Sequence, residues 1–164
     1  MTDGLYDVLF VCTHNSARSI IAEAILRVAG RRRFRAHSAG SMPSGTVHPL
    51  AIATLESMRL PTDGLRSKDW SEFAAPGAPT LDFVFTVCDK AAGETCPVWP
   101  GQPMTAHWGV EDPGAFEGPP EARAKVFRDV GTVLKRRIDL MLELPVSSLE
   151  RMSLQSALDD IGRR

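Results

Sequence analysis

Residues Val8 to Ala29 read VLFVCTHNSARSIIAEAILRVA, a strand, a loop and a helix in immediate succession. The apolar run Val8–Val11 has the length and content of a buried strand. After it, Ile20, Ile21, Ala24, Ile25 and Val28 fall on one helical stripe, and Gly30 follows as the expected C′ residue. Between the two lie Cys12, five residues and then Arg18-Ser19. Such a junction points backbone N–H groups and the positive end of a helix dipole at one spot, which suits a tetrahedral oxyanion. Cys12 is expected there as a thiolate, because the amides and the guanidinium favour its charged form.

Working outward, Phe34–Ser38 reads as a second strand closed by Ala39-Gly40, and Pro49–Met58 as a helix after the loop MPSGTVHP. Asp69–Phe73 reads as a short helix. Leu81–Val87 is the clearest buried strand and ends on Cys88. Asp89–Pro103 is a long connection carrying Cys96, and Met104–Trp108 is a short last strand. The longest helix spans Glu121–Leu144, with Pro145 stopping it. Ser147 or Ser148 is placed to cap a final helix through Ile161. Strands alternating with helices imply an α/β domain with a mainly parallel sheet. Ligands of such sheets sit beyond the carboxyl ends of the strands, where Cys12 falls.

At 164 residues, with 43% hydrophobic and 24% charged side chains, the chain has the make-up of one globular domain. A net charge of −1 gives no reason to expect nucleic acid or an anionic membrane as partner. Arg31-Arg32-Arg33 reads as a solvated helix end. No stretch approaches the roughly 20 apolar residues of a membrane span. The N-terminus carries no signal-peptide pattern, so a cytoplasmic location is the expectation. Three cysteines suit catalysis or redox exchange better than a fixed disulfide framework.

Cys12 alone would read as a small buried hydrophobe. Arg18, six positions on, changes that: sulfur and guanidinium can face opposite sides of one anion, with arginine binding two of its oxygens. The oxyanion-binding loop is therefore Thr13, His14, Asn15, Ser16, Ala17, Arg18 and Ser19. Ser19 can donate to the thiolate, and Asn15 tolerates left-handed backbone and can tie the loop. A leaving group needs a proton, and Asp112, before Pro113, is the candidate acid, with Glu111 its competitor. Cys88 ends a strand on the same sheet edge as Cys12, and Cys96 lies eight residues later. Zinc is disfavoured by the separate elements and the lack of short His spacing. A thiol relay uses all three cysteines: Cys88 attacks Cys12, and Cys96 displaces Cys12 from Cys88. His37, His48 and His107 carry no assignment, and Trp70, Trp99 and Trp108 read as a loop cover.

VLFVCTHNSARSIIAEA, Ser38-Ala39-Gly40, the VCD…CP segment and HWGVEDP together resemble the low-molecular-weight tyrosine phosphatase superfamily, and within it the arsenate reductases. The resemblance covers Val8 to Leu144. It implies a three-layer α/β fold, a four-stranded parallel sheet in order 2-1-3-4 flanked by helices. Residues 1–145 would form that phosphatase-like domain, and 146–164 a helical extension packed on or beside it. The order would bring Cys88 near Cys12. The phosphatase branch usually has tyrosines after its Asp-Pro, where this chain has Gly114, Ala115 and Phe116, and often a second loop cysteine, where it has Ala17. His14 stands where the family usually has glycine, and the Cys88–Cys96 spacing is slightly longer than usual. Thioredoxin-coupled relatives hold a potassium ion near the loop. Asn15, Glu23, Ser38 and Asp69 fall at the matching positions, so potassium is a candidate structural ion, with no other cofactor required.

The resemblance implies reduction of arsenate to arsenite through a Cys12 thiol–arseno adduct, with phosphate or sulfate as binding analogues. Thioredoxin, glutathione with glutaredoxin, or mycothiol would supply the electrons. The alternative is a phosphomonoesterase using Cys12, Arg18 and Asp112. A non-catalytic oxyanion or redox sensor is a third reading.

Overall fold

In a computed structural model of the chain, residues 5–88 and 99–164 are described. Four strands, β1 (Tyr6–Cys12), β2 (Phe34–Gly40), β3 (Phe83–Thr86) and β4 (Met104–His107), form one sheet in the order β2-β1-β3-β4, and every pairing is parallel. The order is the one the resemblance implies. Val8 to Val11 in β1 are covered on both faces, which is why this strand reads as an unbroken apolar run. At the sheet edge β4 alternates instead, with Met104 and Ala106 buried and Thr105 and His107 exposed.

Helices α1 (Arg18–Ala29), α2 (Pro49–Ser57), α3 (Pro120–Leu142) and α4 (Arg151–Gly162) complete the layers. Helix α1 packs on β2 and α3, α2 packs on α3, and α4 lies along β4. Two single turns of 3-10 helix, Trp70–Phe73 and Pro113–Ala115, flank the carboxyl end of the sheet. Among the described residues no helix is long and apolar enough to cross a membrane.

Several local expectations are revised. Gly30 does end α1, but at φ −108°, outside the left-handed region. Space is the reason for glycine there: an added Cβ would stand 2.7 Å from Leu26 Cδ1 and 3.3 Å from Leu142 Cδ2. Arg33 is not merely solvated. Its guanidinium donates to the carbonyls of Leu142 (2.6 Å) and Leu144 (2.9 Å), capping the end of α3. That cap accompanies an α3 that ends at Leu142, two residues before the expected Leu144. Ser147 and Ser148 sit in a turn rather than at a helix start, and Glu150 precedes α4 with no side-chain cap.

Trp108 belongs to the core and not to a loop cover. It is fully buried, stacks on Phe85 with ring centroids 4.2 Å apart, and donates its indole N–H to Leu158 O at 3.0 Å. With Gln155 Nε2 donating to Thr105 O at 2.7 Å, this bond fastens α4 to the β4 edge. Trp70 and Trp99 do meet edge to face, 6.3 Å between centroids, as a cover would.

Candidate active site

The loop from Cys12 to Ala17 leaves β1 at its carboxyl end, and its carbonyls are held from behind. Cys12 O, Thr13 O, His14 O and Ser16 O accept from the N–H groups of Ser41 (3.3 Å), Met42 (2.8 Å), Ser44 (3.0 Å) and His48 (2.9 Å). In a trans peptide the N–H points opposite to the preceding C=O. The N–H groups of Thr13, His14, Asn15 and Ala17 are thereby turned away from those partners. The first turn of α1 adds N–H groups that have no partner within the helix and the positive end of its dipole. Asn15 takes φ +46°, the left-handed conformation expected of it. Gly40 makes the fit between strand β2 and the loop, for a Cβ there would lie 2.5 Å from Thr13 O and 3.0 Å from Asn15 N.

Behind the loop a buried polar chain ends on Cys12, and its donors can be assigned as far as Ser19. Lys68 N–H donates to Asn15 Oδ1 at 2.9 Å, so the Asn15 amide nitrogen must face the other way. Its two hydrogens go to Ser19 Oγ (2.8 Å) and Ser38 Oγ (3.0 Å). Ser38 in turn donates its hydroxyl to Glu23 Oε1. Ser19 Oγ accepts from Asn15 and lies 2.8 Å from Cys12 Sγ, where its hydroxyl donates whenever the sulfur is a thiolate. The arrangement offers Cys12 a donor, the partner a thiolate needs.

Burial pushes the Cys12 thiol up in pKa; the Ser19 hydroxyl and N–H and the Arg18 guanidinium pull it down, while neighbouring Cys88 adds to the rise. Burial prevails at 2% exposure, and the thiol stands above its ordinary value. The expectation of a resting thiolate is corrected to that extent: the donors are in place, but loss of solvent outweighs them.

Cys12 opens onto a cleft of about 400 Å³ that Arg18, Ser44, His48, Asp112 and Gly114 also line. Arg18 reaches across it, donating to Val110 O at 3.2 Å with its other terminal nitrogen 3.8 Å from Asp112 Oδ2. Asp112 Oδ1 accepts from Gly114 N–H at 2.9 Å, so the carboxylate caps the Pro113–Ala115 turn while its second oxygen faces Arg18. Arg137 of α3 fixes the approach to this segment from below, donating to Trp108 O (2.8 Å) and Gly109 O (3.0 Å). Strands β1 and β3 are neighbours, and Cys88 lies just past β3 with its sulfur 3.6 Å from Thr13 Oγ1.

A model of the low molecular weight phosphotyrosine protein phosphatases matches residues 7–153. The chain belongs to this family. Among its relatives, an arsenate reductase of Halalkalibacterium halodurans is 31% identical over 136 residues, covering 83% of this chain and 94% of the relative. A glutaredoxin arsenate reductase of Synechocystis sp. is 30% identical over 135 residues, covering 82% and 95%. A solved arsenate reductase in its phosphate-binding state superposes with a TM-score of 0.65 at 31% identity, over 82% of this chain and 95% of that one.

Within this phosphatase-family frame, the structure brings Cys12, His14, Ser16, Ala17, Arg18 and Asp112 to one cleft, with Cys88 against the loop, whereas Thr13, Asn15 and Ser19 are buried and do not line it. Cys96 falls outside the described residues. Of the four positions matched to a potassium site, Asn15, Glu23 and Ser38 share one network, whereas Asp69 turns its carboxylate to Ser71 N–H at 2.8 Å. His48 was given no role by its sequence context, yet it lines the cleft. Its Nδ1 accepts from Leu50 N–H (3.0 Å), capping α2, and its ring lies 4.7 Å from that of Phe127. Burial and the charge of Arg123 push its pKa down, against Asp112. A neutral ring bonded this way carries its proton on Nε2. Arg137 and Lys68 complete the set that sequence reasoning did not single out.

Proposed function

We propose that this protein reduces arsenate to arsenite. The observation that carries the reading is the position of Cys88, a second buried thiol held against the loop that contains Cys12. The relatives that are arsenate reductases support it, as does the oxyanion-shaped loop.

In this reading the loop N–H groups and Arg18 bind arsenate as they would phosphate. A dianionic oxyanion can accept the Cys12 proton, which offsets the raised thiol pKa. Cys12 sulfur attacks arsenic, Asp112 protonates the departing oxygen, and water leaves from a Cys12–S–As(V) adduct. Cys88 thiolate then attacks Cys12 sulfur. The Cys12–Cys88 disulfide forms as the S–As bond breaks, its electron pair reduces As(V) to As(III), and arsenite departs. Cys96 attacks Cys88, leaving a Cys88–Cys96 disulfide and Cys12 as thiolate. An external thiol, from thioredoxin or from glutathione with glutaredoxin, reduces that disulfide. The test is arsenite production with each reductant, in wild type and Cys88→Ser. Loss of multiple turnover in Cys88→Ser is expected; turnover equal to wild type contradicts the relay.

The second reading, phosphomonoester hydrolysis, is favoured by Asp112 beside Arg18. It needs neither Cys88 nor Cys96. Efficient aryl-phosphate hydrolysis that survives replacement of both would make it the principal activity.

A further inference from the structure

The side chain of Lys68 ends in the middle of the polar network behind the loop. Its ammonium donates to Ser38 O (2.8 Å) and Arg66 O (2.9 Å), lies 3.4 Å from Ser38 Oγ, and stands 3.8 Å from Glu23 Oε1. Two carbonyls, a hydroxyl and a carboxylate are the oxygens that a hard cation seeks. An ammonium and a metal ion cannot both occupy the space between them. The fourth candidate ligand, Asp69, is committed to a backbone N–H elsewhere. The residues therefore do not fit an alkali metal ion.

We infer that the Lys68 ammonium is the resident cation of this site and acts as a positioning residue for Cys12. Glu23 is buried at 6% exposure and requires compensation on both oxygens. Arg27 donates to Oε2 at 2.8 Å from the surface side, and Lys68 and Ser38 face Oε1 from within. Lys68 also acts through its main chain, whose N–H fixes the Asn15 amide. One residue thus holds two of the three members, Ser38 and Asn15, of the Ser38–Asn15–Ser19 chain that reaches Cys12. In a chain that carries its own cation, an added alkali ion has nothing to supply. The inference is independent of which oxyanion Cys12 attacks, because its test uses none.

The experiment compares potassium chloride with tetramethylammonium chloride at equal ionic strength, roughly 0.1 M, so that screening is matched. Two quantities are read: the thermal midpoint, and the iodoacetamide alkylation rate of Cys12 as a function of pH, followed on the Cys12 peptide by mass spectrometry. Wild type is expected to give the same values in both salts. Lys68→Ala in tetramethylammonium is expected to alkylate about tenfold more slowly at neutral pH, one unit of thiol pKa. Potassium should restore most of that rate by entering the vacated oxygens. Three results overturn the inference: wild type stabilised or accelerated specifically by potassium, Lys68→Ala unchanged in tetramethylammonium, or a loss that potassium does not restore. If Lys68→Ala fails to fold, the wild-type comparison and Lys68→Met, which keeps the aliphatic stem without the charge, decide it.

Discussion

Ser19 Oγ stands 2.8 Å from Cys12 Sγ while accepting from Asn15, so a Cys12 thiolate has a hydroxyl donor already in place. The nucleophile is thereby tied to a network that runs back through Ser38 and Glu23, away from the cleft where chemistry takes place. Cys12 needs that support, since burial works against its charged form.

Replacing Ser19 by alanine removes a hydrogen bond to a developing thiolate, worth about 1.5–3 kcal/mol. The Cys12 pKa should rise further and its alkylation at neutral pH slow by about tenfold or more. Peptide-resolved alkylation over a pH series checks this. Cys88 alkylation, measured in the same samples, is expected to hold steady.

Gly40→Ala places a methyl group 2.5 Å from the Thr13 carbonyl, against backbone on both sides. Neither partner can step aside as a flexible side chain would, so strand β2 and the loop must separate. A stability loss of about 1–3 kcal/mol is expected, together with weaker oxyanion binding. Thermal melts with and without phosphate read both, and the increment that phosphate adds should shrink in the variant.

Asp7 sets part of the acid limb of stability. Burial raises its pKa, but hydrogen bonds and charge from Arg35 and His37 outweigh burial and leave the carboxyl below its ordinary value. The contacts are close, 2.9 Å from Asp7 Oδ1 to both Arg35 Nε and His37 Nε2. A carboxyl depressed in the folded state contributes fully above its unfolded pKa of about 3.9, and the contribution is lost as pH falls below that. Wild type should therefore exceed Asp7→Asn in thermal midpoint at pH 6, and the gap should close towards pH 3. A gap that stays constant across this range contradicts the assignment.

The sequence carried the loop and the sheet well because both depend on short-range spacing. Cys12 and Arg18 are six positions apart, and the apolar runs of β1 and β3 are contiguous. From these followed the parallel sheet, the cleft at its carboxyl end and the place of Cys88 on that edge; its approach to Cys12 came from the strand order that the resemblance implies. Lys68 was illegible for the opposite reason. Its oxygens come from residues 23, 38 and 66, and a lysine in SKDW has no local pattern to mark it as buried. His48 escaped because histidine is not among the usual helix N-cap residues, although its place before Pro49 marks a helix start. Trp108 was read as the end of a short last strand and as part of a cover; its burial is set by α4, fifty residues on. Asp112 rested on the need for an acid rather than on its own sequence, and its capping bond to Gly114 is what an ordinary Asp-Pro turn also shows.

The central claim is that Cys12 starts a thiol relay which Cys88 resolves. The reduced protein, mixed with arsenate and no external reductant, should complete one turnover and stop. Mass spectrometry of the cysteine-containing peptides is then expected to find a Cys88–Cys96 disulfide, Cys12 as a free thiol, and one arsenite released per chain. Three free thiols with arsenate unchanged would contradict it.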